Sequence, residues 1–252
     1  MSDYNATVIA TYSRRMRIRL ADGDEVEARI KGKRLKPVCG DRVIAAPIEN
    51  ESDWLITAIA PRDKELTRPD ARGRTEVLAA NLDCLIVVAA AQPVPDWYII
   101  DRYLCAAEVM GVAAAVVFNK SDLETDAAIS AVELDNYRRI GYDVARCSAV
   151  DGTGMEEVAA LLRGHCAIVV GQSGVGKSSI INRLISDAQQ RVAEISDKTR
   201  EGRHTTVNSV MISLPEGGSV IDSPGVRDYA PALQSSEDAA SGFREISAAA
   251  QQ

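Results

Sequence analysis

Gly171-Gln172-Ser173-Gly174-Val175-Gly176-Lys177-Ser178 follows the apolar run Ala167-Ile168-Val169-Val170 and leads into a helix-like stretch from Ser179 to Ile185. A strand, a glycine loop and a helix in that order make a P-loop, where successive backbone N–H groups and a helix N-terminus surround phosphate oxygens. The glycines admit backbone angles and close approaches that a Cβ would block, Lys177 brings a mobile positive charge, and the Ser178 hydroxyl suits Mg²⁺. The expected nucleotide-contacting residues here are Gly171, Gln172, Ser173, Gly174, Val175, Gly176, Lys177, Ser178 and Ser179. The rest of the chain should then say which base is selected and what becomes of the γ-phosphate.

The chain has 252 residues, of which 46% are apolar and 26% charged, enough for one large or two modest domains. No apolar run reaches the roughly 20 residues of a spanning helix, and Met1-Ser2-Asp3-Tyr4-Asn5 lacks the features of a signal peptide. A cytoplasmic protein with no membrane contact is expected. Five scattered cysteines (Cys39, Cys84, Cys105, Cys147, Cys166) and two histidines favour buried reduced thiols over disulfides or a metal site. The net charge of −7 argues against a protein that coats nucleic acid indiscriminately. Yet residues 1–75 hold 15 Lys+Arg against 12 Asp+Glu, leaving 14 against 24 for the remainder, so any polyanion contact belongs mainly to the N-terminal part.

Apolar and polar residues alternate in Arg15-Met16-Arg17-Ile18-Arg19-Leu20 and in Val26-Glu27-Ala28-Arg29-Ile30, with Asp22-Gly23 between them as a hairpin signal. Ala6–Tyr12, Val43–Ala46 and Trp54–Ile59 supply further strands, giving an OB-type barrel over residues 1–68. The basic cluster Lys31-Gly32-Lys33-Arg34-Leu35-Lys36 falls between strands. With few aromatic residues nearby, contact with RNA phosphates and shape is expected rather than base stacking. Residues 69–76, charged and without apolar periodicity, read as a linker. Residues 77–252 then alternate buried strands (Asp83–Ala89, Ala113–Phe118, Asp143–Cys147) with helices (Trp97–Met110, Ala127–Arg139), which implies a mostly parallel sheet with ligands at the strands' carboxyl ends.

At such an end lies Asn119-Lys120-Ser121-Asp122. A carboxylate there accepts two hydrogen bonds from guanine's N1 and 2-amino groups, whereas adenine leaves it unpaired. Asp122 is therefore the base-selecting residue, with Asn119 holding the loop, the Lys120 stem covering the ring, and the backbone of Ser148-Ala149 placed for guanine's carbonyl oxygen. Downstream of the P-loop, Lys198-Thr199-Arg200-Glu201-Gly202-Arg203-His204-Thr205-Thr206 reads as a loop that closes over a γ-phosphate, with Thr206 preferred over Thr205 for Mg²⁺ and phosphate contact. Val207–Leu214 and Ser219–Ile221 form a hairpin ending in Asp222-Ser223-Pro224-Gly225. Asp222 is placed for the Mg²⁺ shell, beside Ser178 and Thr206, and the Gly225 amide for the γ-phosphate. A helix is expected within Val226–Gln252.

Most GTPases run P-loop, first switch, Asp-x-x-Gly, Asn-Lys-x-Asp, Ser-Ala. Here the last two motifs come first, so the domain reads as circularly permuted, a change that leaves the pocket intact. An OB-type barrel followed by a permuted P-loop GTPase domain resembles the ribosome small subunit-dependent GTPase A family. Gly40-Asp41-Arg42-Val43, Ala80-Asn81-Leu82-Asp83, Asp101-Arg102-Tyr103-Leu104, Gly202-Arg203-His204-Thr205-Thr206 and Asp222-Ser223-Pro224-Gly225-Val226 carry the resemblance. It implies GTP/GDP and Mg²⁺ as ligands and weak hydrolysis stimulated by the small ribosomal subunit. It also implies a barrel that grips rRNA, and a role in late subunit assembly. Family members continue past the Phe243-Arg244-Glu245 region into a zinc-binding domain; this sequence ends in Ser247-Ala248-Ala249-Ala250-Gln251-Gln252, so no zinc is expected in this chain. A monomer is expected.

Val226 stands where many GTPases keep a water-orienting glutamine, so hydrolysis needs another group. His204 and Lys177 are the catalytic candidates, His204 to orient water or donate to it and Lys177 at the phosphates; Arg203 reaches either the phosphoryl group or RNA. Two rival readings are a nucleotide-gated RNA- or ribosome-binding module with negligible hydrolysis, and an ATP-using enzyme sharing the P-loop alone.

Overall fold

A computed structural model describes residues 4–12, 15–69, 72–123, 127–192, 207–223 and 240–250. Five strands, β1 (Ala6–Tyr12), β2 (Met16–Leu20), β3 (Glu25–Ile30), β4 (Arg42–Pro47) and β5 (Trp54–Ile59), pair in the order β1-β2-β3-β5-β4 and close through β1–β4. This is the expected OB-type barrel. The alternation in β2 and β3 produces it: Met16, Ile18 and Ala28 turn inward with Val8, Val43 and Ile56, while Arg17 pairs with Glu27 at 2.9 Å and Arg19 with Glu25 at 2.8 Å outside. These cross-strand pairs sit directly opposite one another in the ladder, which fixes its register.

Within 69–76, expected as a linker, Pro69 ends β6 (Glu65–Pro69) and Thr75-Glu76 open β7 (Thr75–Ala80), and the two strands pair antiparallel. Their apolar signal is short. Leu66, Leu78 and Ala79 are buried against the neighbouring core, while Arg68 and Glu76 pair at 2.9 Å on the outside. Barrel and second unit are joined by several polar ties. The Asn81 side chain donates to Gly40 O at 2.9 Å and accepts from the Asp63 N–H at 2.9 Å. Arg62 grips the fully buried Asp41 carboxylate at 2.7 and 2.9 Å.

Beyond the hairpin run β8 (Cys84–Ala90), α1 (Trp97–Met110), β9 (Ala113–Asn119), α2 (Ala127–Ile140), β10 (Asp143–Arg146), α3 (Met155–Leu162), β11 (Cys166–Val170), α4 (Lys177–Val192), β12 (Val207–Ser213), β13 (Ser219–Asp222) and α5 (Arg244–Ala250). The strands lie in the order β10-β9-β8-β11-β13-β12, parallel except for β12. β8 is buried along its whole length because both faces are covered. Its Leu85, Val87 and Ala89 meet α1 and α2 on one face; Ile86 and Val88 meet α3 and α4 on the other. The outer edge of β12 pairs antiparallel with β1, so barrel and parallel sheet form one continuous sheet.

All five cysteines are free thiols, four of them buried. Of the C-terminal stretch, α5 is the described helix. It is docked by Arg244, which donates to Glu108 at 2.7 Å and to Gly141 O at 2.6 Å and lies 4.0 Å from the Tyr142 ring centroid. Among the described residues no helix is long and apolar enough to cross a membrane.

Candidate nucleotide site

The parallel sheet sends the loops after β9, β10, β11 and β13 to one edge, which gathers motifs lying far apart in sequence. The P-loop leaves β11 and enters α4 at Lys177. Ser178 and Ser179 are exposed in the first turn of α4, where unpaired helix N–H groups favour an anion. The Lys177 ammonium donates to Gly171 O and Gln172 O, each at 2.7 Å, so its charge lies folded back along the loop that surrounds the phosphate position. Gln172 accepts from the Asp96 N–H at 3.1 Å and thereby ties the P-loop to the start of α1.

Asn119 ends β9, is buried, and bridges three segments. Its Nδ2 donates to Val175 O of the P-loop at 2.9 Å, and its Oδ1 accepts from the Ala149 N–H at 3.1 Å and from the Cys147 thiol at 3.6 Å. Burial, with Glu157 nearby, pushes Cys147 up to about 12, which keeps the thiol a donor. Gly176 makes this approach feasible: a Cβ there would come within 2.3 Å of Asn119 Nδ2. Lys120, in the left-handed region at φ +60°, donates to Gly174 O at 2.7 Å and to Gln92 O at 2.8 Å, so its stem runs from the loop after β9 to the P-loop. Asp122 is exposed in a short 3₁₀ turn, Ser121–Leu123. Ser148 is fully buried and its hydroxyl accepts from the Asp151 N–H at 3.3 Å.

Asp222 ends β13 and is half-buried, one residue beyond the Ile168–Ile221 pairing that sets β13 beside the P-loop strand. The neighbouring Ser223 hydroxyl lies 2.9 Å from that of Ser209 on β12. His204, Thr205, Thr206 and Gly225 lie outside the described residues. Among the described residues no three His, Cys, Asp or Glu side chains converge as a metal cage. A divalent cation here would draw on the hard oxygens of Ser178, Asp222 and phosphate, which fit Mg²⁺. Sequence reasoning did not find Gln92, Asp96 or Cys147 as partners of these loops. Of these only Asp96 had a signal, as the helix N-cap after Pro95 that accepts from the Ile99 N–H.

A second surface lies on the barrel. The Lys31–Lys36 loop is exposed at Lys31, Lys33, Arg34 and Lys36. Beside it, a cleft of about 770 Å³ opens between that loop and the β6–β7 hairpin, with Arg34, Lys36, Arg62 and Arg74 in its walls.

A family model described as "RsgA GTPase" matches residues 59–231. The chain is 37% identical, over 97% of its length and 72% of the other's, to the small ribosomal subunit biogenesis GTPase RsgA of Alcanivorax borkumensis. It spans between 61% and 73% of the length of several such curated relatives. Among solved structures it is similar to YjeQ from Thermotoga maritima, with a TM-score of 0.65 at 28% identity over 88% of this chain and 74% of that one. The fold is shared with YloQ, described as a circularly permuted GTPase, at a TM-score of 0.69 and 22% identity over 97% of this chain and 79% of that one.

Proposed function

The chain belongs to the RsgA GTPase family, and on that premise we propose that it hydrolyses GTP to GDP and phosphate during biogenesis of the small ribosomal subunit, in a pocket shared by Asn119–Asp122, Ser148-Ala149 and the P-loop. One observation carries the pocket. Asn119 and Lys120 are hydrogen-bonded to the P-loop carbonyls of Val175 and Gly174, so base selection and phosphate binding meet across a direct bridge.

Each group then has a task. Asp122 selects guanine, and the Ala149 N–H, which donates to Asn119 Oδ1 in the free protein, is placed to turn to guanine's carbonyl oxygen. Lys177 and the first turn of α4 hold the phosphates, with Lys177 swinging from its P-loop carbonyls to the triphosphate. Ser178, Thr206 and Asp222 hold Mg²⁺, which when bound neutralises charge on the phosphate oxygens. Thr205, Thr206 and Gly225 complete the γ-phosphate contacts. His204 orients the attacking water in the role that Val226 is chemically unable to fill.

The exposed basic loop of the barrel and the arginine-walled cleft beside it support contact with rRNA phosphates. The protein would act in the cytoplasm, where small subunits are assembled, and as a monomer. The deciding experiment is GTP turnover on this chain with and without purified small subunits. Phosphate release raised by the subunits supports the proposal. Tight guanine-nucleotide binding with no release under either condition would favour a nucleotide-gated binding module instead.

A further inference from the structure

We propose that Arg183, on the helix that carries Lys177 and Ser178, is a positioning residue for the guanine end of the pocket, acting by holding the Ser148–Gly154 loop. The proposal rests on the guanine-pocket reading above. It goes beyond the motif residues, because Arg183 belongs to none of them.

That loop is closed internally. The Ser148 N–H donates to Thr153 O and the Gly152 N–H to Ser148 O, both at 2.9 Å, and the Thr153 N–H donates to Asp151 Oδ1 at 2.8 Å. Such bonds set the loop's shape but leave its position relative to the base site free. Position comes from ties to other elements. One is the Ala149 N–H to Asn119 at 3.1 Å. Another is Arg183, whose Nη1 donates to Val150 O at 3.1 Å.

The guanidinium also lies against Gly152. That residue has φ +92°, and a Cβ there would come within 2.5 Å of Arg183 Nη2 and 3.1 Å of its Cζ. The planar group thus fills the space where any other residue would carry a side chain. Arg183 stands six residues after Lys177, under two helical turns, or about 9 Å along the axis. Helix α4 therefore presents its N-terminus to the phosphates while a side chain further along supports the loop facing the base. The Asp151 carboxyl is held below the usual carboxylate range by the Thr153 backbone and hydroxyl, by Ser148, and by the Arg183 charge, which keeps it ionised beside the guanidinium.

A loop held at guanine's carbonyl oxygen acts on every base that has that oxygen, whereas Asp122 reads the 2-amino group that hypoxanthine lacks. The test uses dissociation of fluorescent GDP and IDP from the full chain, with displacement by Mg²⁺-pyrophosphate as a phosphate-only probe. Arg183→Ala should speed release of GDP and IDP alike by about fivefold, the loss of one partly solvated hydrogen bond. Pyrophosphate binding should not change, and Arg183→Lys, which keeps a donor for Val150 O, should restore release to within about twofold. Should the alanine variant fail to fold by circular dichroism, Arg183→Gln is read in the same way.

Unchanged GDP release in a folded variant would overturn the proposal. So would equal weakening of pyrophosphate, which would assign Arg183 to the phosphate loop or to general stability. Asp122→Asn runs in parallel. If it leaves the GDP-to-IDP ratio unaltered, the guanine pocket falls and the proposal with it, an outcome separable from a silent Arg183 variant beside a responsive Asp122 variant.

Discussion

Replacing Gly176 by alanine adds one methyl group where the P-loop meets Asn119. The backbone there has φ +94°, and the new Cβ would lie 2.3 Å from Asn119 Nδ2, well inside any real contact. Left-side backbone strain costs about 1 kcal/mol or more. Asn119 must also leave Val175 O, now 2.9 Å away, and two buried partners then lose their bond at about 1–2 kcal/mol. The free protein relieves this by displacing either the P-loop or the guanine loop. Nucleotide binding must restore both, so the sum of about 3 kcal/mol appears as about a hundredfold rise in the GDP dissociation constant. Gly164 is the control: it has φ +79° with no atom within 4 Å of a built Cβ, so Gly164→Ala carries the strain without the collision. Titration of both variants with GDP reads the difference. A Gly176→Ala protein that binds GDP within about threefold of the parent would refute the bridge as a determinant of the pocket.

Three further outcomes follow from the same geometry. His204→Ala should lower single-turnover GTP hydrolysis by tenfold or more on the scale of general acid–base catalysis, about 10²–10⁴, while GTP affinity changes little. Equal loss of both, or of neither, removes its proposed role. Arg62→Ala strands the fully buried Asp41 carboxylate, leaving it the Val38 N–H at 2.7 Å. Denaturant unfolding should show a loss of about 3 kcal/mol, and a loss below about 1 kcal/mol would contradict the reading.

The third concerns pH. Burial, with Glu245 and Glu133 nearby, raises the Asp101 carboxyl above the usual range despite the Tyr137 hydroxyl donating to it at 2.7 Å. A raised native pKa means that the folded state binds the proton more tightly. The contribution is thus fully present below the ordinary carboxylate value and is lost as pH rises through the raised one. Asp101→Asn removes that slope, so parent-minus-variant stability should fall as pH rises above about 4. Parallel stability curves would exclude it.

The convergence of Asn119-Lys120 with Gly171–Ser178 followed from reading both as loops at the carboxyl ends of parallel strands, where the structure places them. The barrel was legible because Met16, Ile18 and Ala28 alternate with charges that point outward. The β6–β7 hairpin was not: Leu66 is a lone buried residue amid charges, and its partners lie a turn away. Helix α3 carried a weak signal in Met155, Val158 and Leu162, spread over a mere 8 residues behind a left-handed Gly154. The ladder between β1 and β12 joins residues about two hundred positions apart, as in Ala10 with Val210, and leaves no local trace. The same holds for the Asn119 bridge and Arg183, whose partners are backbone carbonyls that any residue supplies.

The most direct test of the account is calorimetric titration of the chain with Mg²⁺-GDP and Mg²⁺-ADP. It predicts saturable heat for GDP at about one site per chain and at least about a hundredfold weaker ADP binding, the discrimination of an Asp122 left unpaired by adenine. Equal binding of the two, or no heat from either, would show that the early Asn119–Asp122 loop and the late P-loop do not share a pocket.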